Sequence, residues 1–131
     1  MVVEDNPSDV FLVREGLRAH GLGGDLQVFE DGEAALTYVR QLDTDNSLSC
    51  PSLILLDINL PRIGGFEVLR VLRESLRCGN TPVIVMTSSP ALLDRTTATT
   101  LQANAYFQKP TSYDAFLRLG ELAQRILSEQ R

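Results

Sequence analysis

The sequence has 131 residues, of which 44% are hydrophobic and 22% are charged, and its formal net charge is -5. That length suits one compact domain that needs neither metal nor disulfide to hold its core. The acidic balance disfavours nucleic-acid binding, because such a surface needs clustered Lys and Arg. The apolar stretches are too short to cross a membrane and no signal peptide opens the chain, so we expect a cytoplasmic protein without nucleic-acid or membrane partners.

The chain contains two cysteines, Cys50 and Cys78, and each of them precedes a predicted strand. They lie far apart in the sequence, and their spacing resembles neither a metal-ligand motif nor a disulfide framework. We therefore expect two reduced thiols.

Short apolar runs alternate with amphipathic segments, which is typical of strands joined by crossover helices around a parallel sheet. A first strand is predicted at residues 1–3, and Asn6 followed by Pro7 predicts the start of a helix. A second strand at residues 26–29 precedes a helix that Asp31 can cap.

The third predicted strand, residues 53–56, is apolar at every position, as expected of a central parallel strand covered on both faces, and Asp57 follows it. After a third helix, residues 82–86 repeat this fully apolar pattern. The rest of the prediction is a weak Thr-rich helix at 91–101, a strand at 105–107 and one continuous last helix at 113–128. Five strands and five helices therefore alternate.

Polar side chains follow four of the five predicted strands. Glu4 and Asp5 follow the first strand, Asp57 closes the third, Thr87 closes the fourth and Lys109 closes the fifth. In open parallel sheets the ligand site lies beyond the carboxyl ends of the strands, so we expect these side chains to converge. Three crowded carboxylates repel one another, and a hard divalent cation such as Mg²⁺ is the simplest neutraliser.

This set of side chains suits phosphoryl transfer. A carboxylate such as that of Asp57 can attack a phosphoryl group once its own negative charge is offset. Lys109 and a bound cation would supply the positive charge, and Thr87 would supply a hydroxyl to the equatorial oxygens. Each of these residues alone has an ordinary structural interpretation, so the hypothesis depends on the whole set.

Four strings in order along the chain resemble the response-regulator receiver domains of two-component signalling. The resemblance covers essentially the whole chain and implies a flavodoxin-like, doubly wound α/β fold, with a five-stranded parallel sheet in the order 2-1-3-4-5 and helices on both faces. The strings are VVEDNPSD, LILLDINLPRIGGFEVLR, PVIVMTSS and AYFQKP.

By position, the resemblance implies that Asp57 accepts a phosphoryl group from a sensor histidine kinase. It implies that Glu4, Asp5, Asp57 and the backbone carbonyl of Asn59 surround Mg²⁺. The protein would then catalyse only its own Mg²⁺-dependent phosphorylation and dephosphorylation, and would not be an enzyme acting on another substrate.

The resemblance also implies roles for residues around the phosphoryl group. Thr87 and Lys109 would contact it, and Tyr106 would be the switch aromatic that turns inward as Thr87 moves. Lys109-Pro110 resembles the family's cis peptide. The first strand departs from the family pattern, because only three residues precede the acidic pair.

Within the family, the strings DINLPRIGGFEVL and NAYFQKPTSYDAF are most similar to single-domain regulators paired with bacterial phytochrome kinases. We therefore expect residues 1–131 to form one receiver domain without an output domain. A histidine kinase, such as a bacterial phytochrome, would be the upstream partner, and a target protein or phosphotransfer protein the downstream one. The sequence does not decide whether the protein also forms a homodimer through its fourth helix, fifth strand and fifth helix.

Two other functions fit parts of the pattern. A phosphatase of the aspartyl-nucleophile type would need a second acidic residue two positions after the nucleophile, where this chain has Asn59. A flavodoxin-like binding module would need a Gly-, Ser- and Thr-rich loop after the first strand, where Glu4 and Asp5 would repel phosphate. Asn59 and Ser89 flank Asp57 in the predicted site, and we expect them to influence the lifetime of its acyl phosphate.

Overall fold

Strands and helices alternate as far as β5, and two helices then follow, along the described parts of the chain, residues 1–88 and 92–130 of a computed structural model. The strands are β1 (Val2–Val3), β2 (Val28–Phe29), β3 (Ile54–Asp57), β4 (Val83–Thr87) and β5 (Ala105–Gln108). The helices are α1 (Pro7–Arg18), α2 (Gly32–Thr44), α3 (Gly65–Arg73), α4 (Leu92–Thr100), α5 (Tyr113–Phe116) and α6 (Arg118–Glu129). No helix in these parts of the chain has the length and apolar character needed to cross a membrane.

The strands form one parallel sheet in the order β2-β1-β3-β4-β5, which confirms the predicted flavodoxin-like topology. Asp57 and Thr87 are the last residues of the neighbouring strands β3 and β4. The sheet order therefore brings the carboxyl ends of β1, β3, β4 and β5 to one edge, where the polar residues of the sequence collect.

The two central strands bury side chains on both faces, because successive residues of a strand point to opposite sides. Val83 and Val85 pack towards α2, α3 and α4, whereas Ile84 and Met86 pack towards α1, α5 and α6. All five residues of β4 are buried. These two layers explain why the strand is apolar along its length rather than alternating.

The first two helices begin where their caps were predicted. The side-chain oxygen of Asn6 accepts hydrogen bonds from the backbone of Ser8 and Asp9, and Asp31 accepts one of 2.7 Å from Ala34. These bonds satisfy backbone donors that have no partner inside the helix. The predicted start of α4 at Ala91 lies outside the described residues.

The predicted continuous last helix is wrong, because the chain forms α5 and α6 with Leu117 between them. The N–H of Gly120 bonds to the carbonyl of Leu117, three residues earlier, so the backbone is wound more tightly here. At the same place α6 meets α1, and a Cβ at Gly120 would lie 2.0 Å from the carbonyl oxygen of Gly16. The break thus coincides with a close helix contact.

The predicted pair of reduced thiols is also wrong, because Cys50 and Cys78 form a disulfide, with Cα atoms 5.6 Å apart. The segments that lead into β3 and β4 lie side by side, since these parallel strands are neighbours and Ile54 pairs with Val83. Each cysteine precedes its strand by a few residues. The sheet order therefore explains a pairing that sequence spacing did not indicate.

Candidate functional site

The acidic pair after β1 splits between the interior and the surface. Glu4 is 1% exposed, and its backbone N–H bonds to the carbonyl of Phe29 in β2. Its carboxylate accepts a 3.3 Å hydrogen bond from the N–H of Asn6 and contacts Lys109. Asp5 is exposed at the rim. The short strand β1 nevertheless carries Glu4 into the site, because β2 and β3 hold it on both sides.

Asp57 ends β3 and is buried, with only 3% of the residue exposed. Its Oδ1 accepts a 2.9 Å hydrogen bond from the N–H of Asn59, and its Oδ2 lies 3.1 Å from Nζ of Lys109. The side chain of Asn59 is exposed and donates to Oγ1 of Thr87 at 3.0 Å. These contacts hold the carboxylate of Asp57 in place, next to the exposed side chain of Asn59.

Thr87 and Lys109 are joined through the backbone. The N–H of Lys109 donates a 2.7 Å hydrogen bond to the carbonyl of Thr87, which places the end of β5 beside the end of β4. Thr87 is fully buried and the Lys109 side chain is 8% exposed. The Lys109-Pro110 peptide resembles one that is cis in the family, and the sequence left either form open; here it is trans, and Lys109 points inward.

The ammonium of Lys109 is shared among three carboxylates. Its Nζ lies 2.5 Å from Oε1 of Glu4, 2.9 Å from Oδ2 of Asp9 and 3.1 Å from Oδ2 of Asp57. Burial by itself lowers the pKa of Lys109, but the hydrogen bonds to Glu4 and Asp9 outweigh it and hold the pKa above its usual range. Lys109 therefore stays charged in the site.

The surroundings of Glu4 favour its neutral form, whereas those of Lys109 favour its charged form. Burial, followed by the neighbouring carboxyl of Asp57, raises the pKa of Glu4 to about 8, although Lys109 acts to lower it. One ammonium cannot offset all the carboxylates that surround it. The site therefore carries an excess of negative charge, and further positive charge would stabilise its ionised form.

A metal ion would find suitable ligands here. Carboxylate oxygens of Glu4, Asp5 and Asp57 all lie within 4.8 Å of one another, with Glu4 and Asp57 buried and Asp5 exposed. Such an all-oxygen donor set fits a hard divalent cation, and the exposed side leaves room for water ligands. The three acidic residues predicted from the strand ends are thus brought together.

Asp9 is the site residue that the sequence patterns missed. It lies in the first turn of α1, where an acidic residue is ordinarily explained by the helix dipole. Its contact with Lys109 joins residues 100 positions apart and depends on how α1 packs against α5 and α6, which follow Lys109 in the chain. A local pattern could not have shown that contact.

Tyr106 lies in β5, half-buried, with the guanidinium carbon of Arg95 in α4 4.7 Å from its ring centroid. This cation–π contact joins α4 to β5. The switch role of Tyr106 stays a prediction, as does the backbone carbonyl of Asn59 as a metal ligand. Ser89, predicted to influence acyl-phosphate lifetime, lies outside the described residues.

Known proteins are similar to this chain in both sequence and fold. The family model for the response regulator receiver domain matches residues 1–119. The probable methanogenesis regulatory protein FilR2 of Methanothrix harundinacea is 35% identical over 121 residues, covering 92% of this chain and 77% of that protein. Response regulator Rcp1 of Synechocystis is 34% identical over 109 residues, covering 83% of this chain and 74% of Rcp1.

Two solved structures are similar throughout. The phosphorylated cyanobacterial phytochrome response regulator RcpA superposes with a TM-score of 0.86 at 30% identity, covering 98% of this chain and 92% of RcpA. The Mn²⁺-bound form of Rcp1 gives a TM-score of 0.81 at 30% identity, covering 94% and 88% of the two chains. Since the family match spans residues 1–119 and agrees with these relatives, the chain belongs to the response regulator receiver domains, the phosphoacceptor domains of two-component signalling.

Proposed function

We propose that Asp57 is the phosphoacceptor of this receiver domain and takes its phosphoryl group from the phosphohistidine of a sensor kinase. The observation that carries the proposal is the position of its carboxylate, buried at the end of β3 and 3.1 Å from the ammonium of Lys109. Glu4 and Asp9 also contact that ammonium. Asp57 in addition accepts a hydrogen bond from the N–H of Asn59, whose side chain bonds to the hydroxyl of Thr87. A phosphoryl group on Asp57 would therefore lie near donors from both Lys109 and Thr87. The pair of Asp57 and Lys109 would also suit an aspartyl-nucleophile phosphatase, but position 59 holds Asn rather than the acidic residue that such an enzyme needs, and Glu4 and Asp5 stand where a flavin phosphate would bind.

In the proposed reaction, one carboxylate oxygen of Asp57 forms a bond to phosphorus while the phosphorus–nitrogen bond to the histidine breaks. The electron pair of that bond returns to the imidazole. Lys109 offers N–H donors to the phosphoryl oxygens, and the Thr87 hydroxyl offers another. Positioned donors of this kind stabilise the charge that spreads over the equatorial oxygens.

We propose Mg²⁺ as the metal, held by Glu4, Asp5, Asp57 and the backbone carbonyl of Asn59. Bound there, it would supply positive charge beside the reacting oxygens. The Mn²⁺ named in the Rcp1 structure supports a divalent cation for the family site, because the same oxygen donors suit both ions. Hydrogen bonds within the protein would position the carboxylate of Asp57 and the ammonium of Lys109, whether or not the ion is bound.

The output is proposed to be a change in protein contacts on the face formed by α4, β5 and the last helical segment, α5 with α6. Tyr106 is the switch residue, and its contact with Arg95 gives it a defined starting position on that face. Either a downstream protein or a second copy of this chain would bind there. Residues 1–131 would act as a receiver domain whose kinase is a bacterial phytochrome, a choice supported by the similarity to RcpA, which is named as a phytochrome response regulator.

Incubation with Mg²⁺ and a small acyl phosphate tests the phosphoacceptor. We expect the intact protein to gain the mass of one phosphoryl group, and the Asp57→Asn variant to gain none, because the amide is not a nucleophile. Peptide mapping should place the group on Asp57. A wild-type protein that gains no mass, or an Asp57→Asn variant that gains it equally, would overturn the proposal.

Competition among purified kinases tests the proposed partner. A phosphorylated bacterial phytochrome kinase should transfer its label to this protein faster than unrelated histidine kinases do, at equal concentrations. The Asp57→Asn variant is the control for transfer to another residue. Equal rates from all kinases would remove the phytochrome assignment while leaving Asp57 as the phosphoacceptor.

A further inference from the structure

Lys109 is the only lysine in the sequence, so one ammonium serves the whole site. Two of its three carboxylate partners, Glu4 and Asp57, belong to the group that could hold a metal ion. The third partner, Asp9, does not belong to that group among the described residues. Asp9 thus contacts the ammonium without being a candidate metal ligand.

The carboxylate of Asp9 is free for this contact because another residue caps the helix. The side chain of Asn6 accepts hydrogen bonds from the N–H groups of Ser8 and Asp9, at 2.9 Å and 3.4 Å. Asp9 therefore need not fold back on the first turn of α1. Its Oδ2 instead reaches Nζ of Lys109 at 2.9 Å, with the side chain 22% exposed and the lysine 8% exposed.

The contact matters most when the other two partners are engaged elsewhere. A cation on Glu4 and Asp57 would compete for their lone pairs and repel the neighbouring ammonium. Lys109 has a flexible four-carbon stem, so without another partner it would swing away. A carboxylate outside the metal group keeps an attraction on the ammonium and leaves its other N–H donors for phosphoryl oxygens.

We propose that Asp9 is a positioning residue for Lys109, holding the ammonium beside Asp57 when a divalent cation occupies Glu4, Asp5 and Asp57. This role for Asp9 rests on the proposed function, because Lys109 needs to be positioned only if Asp57 accepts a phosphoryl group. The contact itself can be tested without any phosphorylation, because the chain has a single lysine.

Acylation by a water-soluble succinimidyl ester, followed by peptide mass spectrometry, reports on Lys109 and separates it from the N-terminal amine. Without metal, Lys109 should react about tenfold faster in Asp9→Ala than in the wild type. The variant lacks the charge-assisted hydrogen bond from the ammonium to Asp9, so the amine is less protected from the reagent. Asp9→Glu should restore much of the protection. Added Mg²⁺ should leave the wild-type lysine protected and expose that of Asp9→Ala further.

The matched control is Asp114→Ala, which removes an exposed acidic residue from the first turn of α5. It loses a helix-dipole contact of the same kind but leaves Lys109 untouched, so acylation should stay at the wild-type rate. Melting temperatures confirm that each variant is folded. Equal acylation of Lys109 in the wild type and Asp9→Ala, with or without Mg²⁺, would overturn the proposal.

A double-mutant cycle links the contact to the reaction. At saturating Mg²⁺, Asp9→Ala should slow phosphorylation by a small acyl phosphate about tenfold, since a displaced group loses its orientation. In the Lys109→Ala background the same substitution should have no further effect. An equal loss in both backgrounds would show that Asp9 acts independently of Lys109. Absence of phosphorylation in the wild type would refute the phosphoacceptor role instead, while the acylation result would still decide the contact.

Discussion

The side-chain amide of Asn59 donates a 3.0 Å hydrogen bond to Oγ1 of Thr87, which ties the loop after β3 to the last residue of β4. Thr87 is buried and Asn59 is exposed, so the bond joins the interior of the site to its rim. We therefore expect water that reaches the Asp57 carboxylate from this side to pass the amide of Asn59.

Replacing Asn59 with Ala should shorten the lifetime of the acyl phosphate several-fold, because the smaller side chain opens the rim to water and releases Thr87. Loss of the phosphoryl group from purified protein, followed by intact mass, measures the lifetime. Asn46→Ala, in the exposed loop after α2, is the control and should decay at the wild-type rate. An unchanged lifetime in Asn59→Ala would mean that this side chain does not control water access.

The raised pKa of Glu4 predicts pH dependence in two measurements. Between pH 4.5 and about 8 the folded metal-free protein holds a proton that the unfolded chain releases. The contribution of Glu4 to the free energy of unfolding therefore falls as the pH rises through that window. Urea unfolding of metal-free protein should show this slope, and the slope should be smaller in Glu4→Gln.

Metal affinity should change in the opposite direction. The cation requires ionised Glu4, so Mg²⁺ should bind about tenfold or more tightly at about pH 8 than at about pH 6, with proton release on binding. Calorimetry in two buffers of different ionisation enthalpy measures both quantities. If wild-type affinity is the same at the two pH values, the raised pKa of Glu4 does not govern the site.

The Cys50–Cys78 disulfide should stabilise the fold. It links residues 28 positions apart, and closing such a loop in the unfolded chain corresponds to about 3.6 kcal/mol in the chain-entropy model. Reduction should lower the Tm of the wild type by roughly 10 °C. Cys50→Ser should melt at that lower temperature and should not respond to reductant. Two titratable thiols in the untreated wild type would contradict the pairing.

Gly120 should tolerate a side chain far less well than its neighbour across the helix contact. A Cβ at Gly120 would meet the Gly16 carbonyl oxygen at 2.0 Å and His20 Nδ1 at 2.4 Å, whereas the nearest atoms to a Cβ at Gly16 are 3.6 Å away. Gly120→Ala should lower the free energy of unfolding by about 1–3 kcal/mol by forcing α1 and α6 apart.

Gly16→Ala is the matched control for that substitution. It should be neutral or stabilise by up to about 1 kcal/mol, because Ala favours a helix more than Gly does. Urea unfolding of both variants measures the difference. Equal effects from the two substitutions would show that the helix contact is looser than the structure indicates.

The sheet and most of the acidic site could be predicted from local patterns. The runs around Leu55 and Ile84 are apolar at every position, which requires strands covered on both faces. The same patterns located Asp57 at the end of β3 and Lys109 after β5. Parallel topology then implied that these strand ends meet, because their carboxyl ends share one edge of the sheet.

The sequence alone thus determined the order of elements, the helix starts at Asn6 and Asp31, and the chemistry collected at the strand ends, since each depends on neighbours in the chain. Only the tertiary structure decided that Asp9 reaches Lys109, that Cys50 pairs with Cys78 and that the last helix breaks where it meets α1. Each of these joins segments distant in the chain, and its geometry depends on how helices pack on the sheet. For Asp57, the sequence determined that a carboxylate ends a buried strand, while packing decided that Glu4 and Asp9 share the ammonium of Lys109 with it.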